Sequence, residues 1–203
     1  MARPKSFDTE DALLRAMDLF WRQGFHNTGM TQLVQVMGVS RQSLYDTYGD
    51  KTRLFMAALE RYCATLEAQL LAPLKAPDAG LVALHQAGLA LIDFLLAFPE
   101  RRACLMVNSA MELAPHDAAV ASRAAGHMAA MTEAFRGAIA TAQARGEIAS
   151  MEPADSLARY MTSTANGLIV AAKSGADRAA LADILRLAAL VLQPRINPDN
   201  PVS

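Results

Sequence analysis

Apolar residues recur three and four positions apart along almost the whole chain, the spacing of one helix face. Leu13, Leu14, Met17, Phe20 and Trp21 form the first stripe, with Asp8 as its N-cap and Asp11 near the positive end of the helix dipole. Gly24 stops that helix. A short helix follows, capped by Thr31, carrying Leu33, Val34 and Met37 and ended by Gly38. Ser40 opens another, with Leu44 and Tyr48 inward. Gly49 and Asp50 punctuate, and a long helix comes next with Leu54, Phe55, Ala58, Leu59, Tyr62, Leu66 and Leu70 inward.

Beyond Pro73 the texture shifts to Ala, Leu and Met. The pattern predicts helices near 79–98, 103–114, 117–146, 153–175 and 177–192, with Pro99, Pro115 and Pro153 near the breaks. No stretch alternates at period two, so the expected class is all-α, with about nine helices. The expected organisation is a head at 1–50, a linking helix at 51–75, a larger helical domain at 76–193 and a frayed tail at 194–203 marked by Pro194, Pro198 and Pro201.

Composition narrows the class. Apolar residues make up 53% of 203 positions and the net charge is −1, which excludes a disordered chain and one that coats nucleic acid by bulk charge. Residues 1–61 carry eight Lys and Arg against seven Asp and Glu, so any positive potential there must come from local placement. Two cysteines, Cys63 and Cys104, make no disulfide framework. Acids interrupt the N-terminal apolar run, and no apolar stretch reaches a membrane span. The expectation is a cytoplasmic protein without membrane contact, resident metal or cofactor. His85, His116 and His127 are too scattered for metal ligation.

The segment Thr31 to Lys51, TQLVQVMGVSRQSLYDTYGDK, has the layout of a helix-turn-helix. Gly38 supplies a left-handed helix end, Val39 turns inward to fix the inter-helix angle, and Ser40 caps a second helix whose early residues can meet base edges in a major groove. A plain helical hairpin in a core gives no reason for that helix's outer face to be polar and donor-rich. The run from Gly24 through Phe55 resembles the N-terminal domain of the TetR family of transcriptional repressors. The resemblance rests on Gly24-Phe25, Thr28, Thr31, Gly38-Val39-Ser40, Ser43-Leu44-Tyr45, Tyr48, Lys51 and Leu54-Phe55. It implies an all-helical homodimer that binds palindromic double-stranded operator DNA and responds to a small-molecule effector.

The resemblance also implies roles. Thr31, Tyr45 and Lys51 would contact phosphates, which set register without reading sequence. Arg41, Gln42 and Ser43 would face bases, and Ser40 starts their helix. Arg3 and Lys5 lie on an arm that either touches DNA or is a solvated tail. Asp46 and Thr47 depart from the family's usual tyrosine and histidine. Asp46 would accept from a base amine or orient Arg41.

The second domain is less legible. Phe94, Phe98, Met106, Met111, Met128, Met131, Phe135, Tyr160 and Met161 are core residues or, in part, the lining of a pocket that repacks around apolar ligands. Asn108 and Glu112 lie four apart and could orient a ligand, or Glu112 could face solvent or cap a neighbouring helix. Residues 102–108 resemble the "GCL…N" stretch of one TetR branch, some members of which sense electrophiles through the cysteine matching Cys104. Lys173 matches a lysine that can lie near that cysteine. The opposing reading is that Cys104 is a small buried hydrophobe. The last two helices, 153–192, are expected to pair with a symmetry mate, burying Leu168 and Leu185 or their neighbours. An enzyme is the reading of a different class, and no nucleophile elbow, phosphate loop or metal cluster supports it. A purely structural helical protein leaves the donor-rich helix unexplained.

Overall fold

A computed structural model describes residues 8–98 and 103–193. Among these residues there are nine α-helices and no strand. They are α1 (Thr9–Gln23), α2 (Met30–Met37), α3 (Arg41–Tyr48), α4 (Lys51–Leu66), α5 (Leu81–Leu96), α6 (Leu105–Leu113), α7 (Ala118–Ala144), α8 (Ala154–Lys173) and α9 (Arg178–Ala189). The chain divides into two compact units: one holds the described residues up to Thr65 together with Cys104–Ala124, the other Leu66–Ala103 together with residues from Ala125 on. Arg3, Lys5, Arg102 and the proline-marked tail lie outside the described residues.

The first unit is organised by its caps. Asp8 accepts from the Glu10 amide at 2.9 Å and the Asp11 amide at 3.2 Å, starting α1 as expected. Thr31 is not a cap: α2 starts one residue after Gly29, whose amide donates to Gln32 Oε1 at 3.0 Å. Glycine reaches the extended cap conformation without a side chain, and Gln32 supplies the return bond of a capping box. The core centres on Phe20 and Phe55, edge-on at 5.0 Å, with Phe25 against Phe55 at 5.0 Å and Trp21 against Tyr62 at 5.1 Å. Each geometry is favoured by the ring quadrupoles.

After Leu66 the helical phase slips. A π turn spans Glu67–Leu71 and a 3₁₀ turn Ala72–Lys75. The wider turn advances the inward position by one, so Leu71 is buried where the period-3.6 pattern had placed Leu70. In the second unit α5, α8 and α9 pack with the later part of α7 around Leu84, Phe135, Ile139, Met161 and Leu192. Thr132 and Thr162 share a hydrogen bond at 3.0 Å, and Arg178 donates to Asp93 at 2.6 Å. Gly88 of α5 is required by close approach: a Cβ there would sit 2.6 Å from Leu185 Cδ1.

Candidate nucleic-acid interface

The turn between α2 and α3 is built from three residues with separate tasks. Gly38 takes φ 68°, ψ 31°, the left-handed conformation that ends α2 at least cost in glycine. Val39 is buried, and its amide donates back to Val34 O at 3.3 Å. Ser40 caps α3, its Oγ accepting from the Ser43 amide at 3.0 Å and lying 2.8 Å from Ser43 Oγ. Leu44 is fully buried beneath α3, and the Tyr48 hydroxyl donates to Thr9 O at 3.1 Å, pinning α3 to the start of α1. Burial, and secondarily the charge of Glu10, raise the Tyr48 phenol above its ordinary value.

These anchors leave Arg41, Gln42, Tyr45 and Asp46 on the exposed face of α3, with Ser43 and Thr47 half-buried at its margins. Gln42 Nε2 donates to Asp46 Oδ1 at 2.7 Å. Asp46 therefore holds Gln42, which is four residues back on the same face; Arg41, five back, points elsewhere around the helix. The remaining arginines of α1 and α4 are engaged. Arg15 pairs with Asp11 at 2.8 Å, Arg22 with Asp18 at 2.5 Å, Arg61 with Glu10 at 2.5 Å and Arg53 with Asp50 at 3.8 Å. Among the described residues Arg41 makes no ion pair and no side-chain hydrogen bond, so it alone of the arginines in α1–α4 is uncommitted. Thr31 is exposed on the first turn of α2. Lys51 begins α4 with its ammonium 4.3 Å over the Phe25 ring. Partial burial lowers its pKa, and Glu112 opposes that shift.

The residues assigned to a pocket divide between the two units. Cys104, Met106, Asn108, Met111 and Glu112 belong to the first, on α6 or at its N-cap. Met106 is fully buried, whereas Met111 is 80% exposed. Glu112 accepts from the amides of Phe25 at 3.1 Å and His26 at 2.9 Å, serving as a cap for the turn after α1. The sequence left capping open as one of three readings of Glu112 and could not name the partners, which are 87 and 86 residues away. The one signal was a glycine-led turn, Gly24-Phe25-His26, whose amides lacked a nearby acceptor.

Cys104 is 3% exposed. Burial pushes its thiol up, while the Tyr62 hydroxyl and the first α6 amides, of Met106 and Val107, pull the other way. The Tyr62 hydroxyl, itself buried, faces the sulfur without a hydrogen bond of good geometry.

In the second unit Phe94 and Phe98 stack edge-on at 6.0 Å, and Met128, Met131, Phe135 and Met161 pack in or against the core cluster. Tyr160 is exposed on α8 and Lys173 is exposed at the end of α8. A cavity of about 30 Å³ lies among α5, α7, α8 and α9, lined by Leu84, Gly88, Leu91, Phe135, Met161 and Leu185, with Thr164 as its polar group. That volume holds about two waters. Among the described residues no three His, Cys, Asp or Glu gather to hold a metal ion, and no helix is long and apolar enough to cross a membrane.

An exposed, donor-rich recognition helix on a buried aliphatic base, set by a left-handed glycine turn, defines a helix-turn-helix DNA-binding protein. The profile described as "Bacterial regulatory proteins, tetR family" matches residues 12–58, and that described as "Tetracyclin repressor-like, C-terminal domain" matches residues 80–188. The chain belongs to the TetR family of transcriptional regulators, which are not enzymes. It is 36% identical over 199 residues to the uncharacterized HTH-type transcriptional regulator YezE of Bacillus subtilis, covering 95% of this chain and 100% of that one. It is 30% identical over 179 residues to the HTH-type transcriptional repressor ComR of Escherichia coli, covering 86% and 84%. Among solved structures it is similar to a cysteine mutant of the TetR family regulator CifR complexed with a 26 bp operator duplex. That likeness has a TM-score of 0.78 at 25% identity over 94% of this chain and 98% of that one.

Proposed function

We propose that this chain is a dimeric repressor that works in the cytoplasm, binds a palindromic operator through two copies of α3, and is released by a small, largely apolar effector. The observation that carries the DNA reading is the uncommitted Arg41 at the first turn of α3, beside a Gln42 already oriented by Asp46. Arg suits the O6 and N7 of guanine, and Gln the N6 and N7 of adenine. Similarity to ComR, named a repressor, supports the sign of regulation. The effector reading draws on a second unit whose core is rich in Met, Leu and Phe around a small void, material that can repack to admit an apolar molecule.

The test is fluorescence anisotropy with the duplex upstream of the protein's own gene, over a salt series. Specific binding should exceed binding to a scrambled duplex by about a thousandfold or more. In the same assay Lys51→Ala should weaken both duplexes alike and reduce the salt slope by about one unit. Equal affinity for the two duplexes in the unsubstituted protein contradicts the proposal.

For the dimer, the expected seam narrows from Leu168 and Leu185 to their neighbours. Leu168 and Leu185 are buried inside the protomer, 1% and 8% exposed. Leu185 packs on the close-approach glycine of α5, so it is not available to a partner. The large apolar residues that α8, α9 and the 3₁₀ turn after it (Leu190–Leu192) leave exposed are Tyr160, Val170, Ile184, Leu187 and Leu190. Gly167, with open space about it, lies on the α8 face between the first two. These are the residues we assign to the two-fold seam.

A reversible effector is favoured over electrophile sensing through Cys104. A sensing thiol needs a low pKa and exposure; Cys104 is buried with its pKa raised, and Cys63 is pushed up to about 11, chiefly by burial. With a pKa near 11, the thiolate fraction of Cys63 at pH 7.5 is about 0.03%. Alkylation of the native protein should therefore be slow at pH 7.5 and rise about tenfold per pH unit through the alkaline range, because the proton must leave first. Rapid labelling of Cys104 at neutral pH would favour the thiol sensor instead.

A further inference from the structure

The C-terminal family profile covers residues 80–188, yet α6 and the start of α7 belong to the same compact unit as the reading head. One side chain makes that attachment specific. Glu112, near the end of α6, directs both carboxylate oxygens at the turn after α1: Oε2 accepts from the Phe25 amide at 3.1 Å and Oε1 from the His26 amide at 2.9 Å. These two amides follow the C-cap of α1 and precede α2. The other bonds of the turn leave them to Glu112: Gly24 N goes to Phe20 O, Thr28 N to Phe25 O, and Thr28 Oγ1 to Gly24 O.

The turn is shaped for the carboxylate. Gly24 takes φ 79°, and a Cβ there would stand 2.8 Å from Glu112 Oε2, so a side chain at this position would displace the carboxylate. The Phe25 ring, held by the same turn, lies under the Lys51 ammonium at 4.3 Å and packs on Phe20 and Phe55. One carboxylate thus fixes the turn that launches α2 and the ring that carries Lys51.

We propose that Glu112 is a positioning residue for operator binding: its bidentate grip on the Phe25 and His26 amides holds α2 and Lys51 in the placement that DNA requires. Charge-assisted hydrogen bonds to an ion are stronger than neutral ones, and orienting the head before encounter removes an ordering cost from the complex. Glu112 touches no DNA in this role.

The test is hydrogen exchange of the Phe25 and His26 amides together with operator affinity, in the full-length protein and in Glu112→Ala and Glu112→Gln. For Glu112→Ala both amides should exchange about tenfold faster or more, and operator Kd should rise about tenfold, with a salt slope reduced by up to about one unit as Lys51 loses its placement. Glu112→Gln has one accepting oxygen, keeps one of the two bonds and should fall between. A role confined to stability would lower Tm and leave the Kd of the folded protein where it was. Unchanged or tighter operator binding by folded Glu112→Ala overturns the proposal. If that variant does not fold, Glu112→Gln decides, and unchanged exchange and affinity there overturn it equally.

Discussion

Leu187→Glu should convert the proposed dimer to monomers at micromolar concentration and cost about a hundredfold or more in operator affinity. Leu187 is 52% exposed on α9, between Ile184 and Leu190, and Val170 on α8 is 57% exposed. Several large apolar side chains left exposed on neighbouring helices suit the partner surface proposed here. In a two-fold seam the substitution enters twice, so two carboxylates would lose water near a shared axis with no cation to meet them. A penalty of about 3 kcal/mol, within the range for burying an unpaired polar group, is about a hundredfold in dimer affinity. Operator binding should follow, because one head docked on its half-site raises the effective concentration of the other only while the two are joined. The folded protomer should survive, since Leu187 faces outward within it. Leu185→Glu is the contrast: Leu185 is in contact with α5, and a charge there should unfold the protomer itself. Sedimentation, with circular dichroism as the control for folding, separates the two. A Leu187→Glu protein that still sediments as a dimer at micromolar concentration contradicts the assignment of this face.

The head was legible because its signals are local. Asp8 and Ser40 cap their helices with bonds to amides two and three residues on, and Gly38 ends α2 in a conformation glycine reaches at least cost. Each of these is written within a few positions of where it acts. Thr31 was misplaced as a cap for the same local reason: a threonine offers a visible hydroxyl, whereas Gly29 offers only backbone and depends on Gln32 reaching back. Leu70 was displaced from the core by a π turn, and a fixed 3.6-residue period carries no trace of one extra residue per turn.

Longer-range features could not be read at all. α8 and α9 carry apolar residues on more than one face, and which face meets α5 depends on the absence of a side chain at Gly88, some 97 positions before Leu185. For Glu112 the cap was one of the readings the sequence left open, but its partners, in a turn 86 and 87 residues earlier, could not be named. A carboxylate on a helix face reads equally as ligand anchor, solvent group or cap until the fold brings an acceptor-poor turn to it.

Arg41→Ala should cost about 1–3 kcal/mol on the cognate operator, or about five- to 150-fold, and should relax preference at a single base position. Arg41 stands out by what it does not do. Every other arginine of α1–α4 has a carboxylate within 4 Å in an exposed pair worth at most about 1 kcal/mol, whereas Arg41 has none to give up. Arg41 occupies the first position of α3, directly after the Ser40 cap, where a recognition helix meets base edges. Its neighbour Gln42 is constrained by Asp46 at 2.7 Å, which lowers the entropy lost when its amide meets a base. Asp46→Ala should therefore weaken binding less than Arg41→Ala, through loss of that orientation. A purely electrostatic Arg41 would behave differently: its removal would weaken all sequences alike and change the salt slope, as expected for Lys51. Measuring Kd against a panel of duplexes substituted at each operator position, at two salt concentrations, distinguishes these outcomes. A uniform loss across the panel assigns Arg41 to the phosphates, and α3 would then read its operator through Gln42 and Ser43.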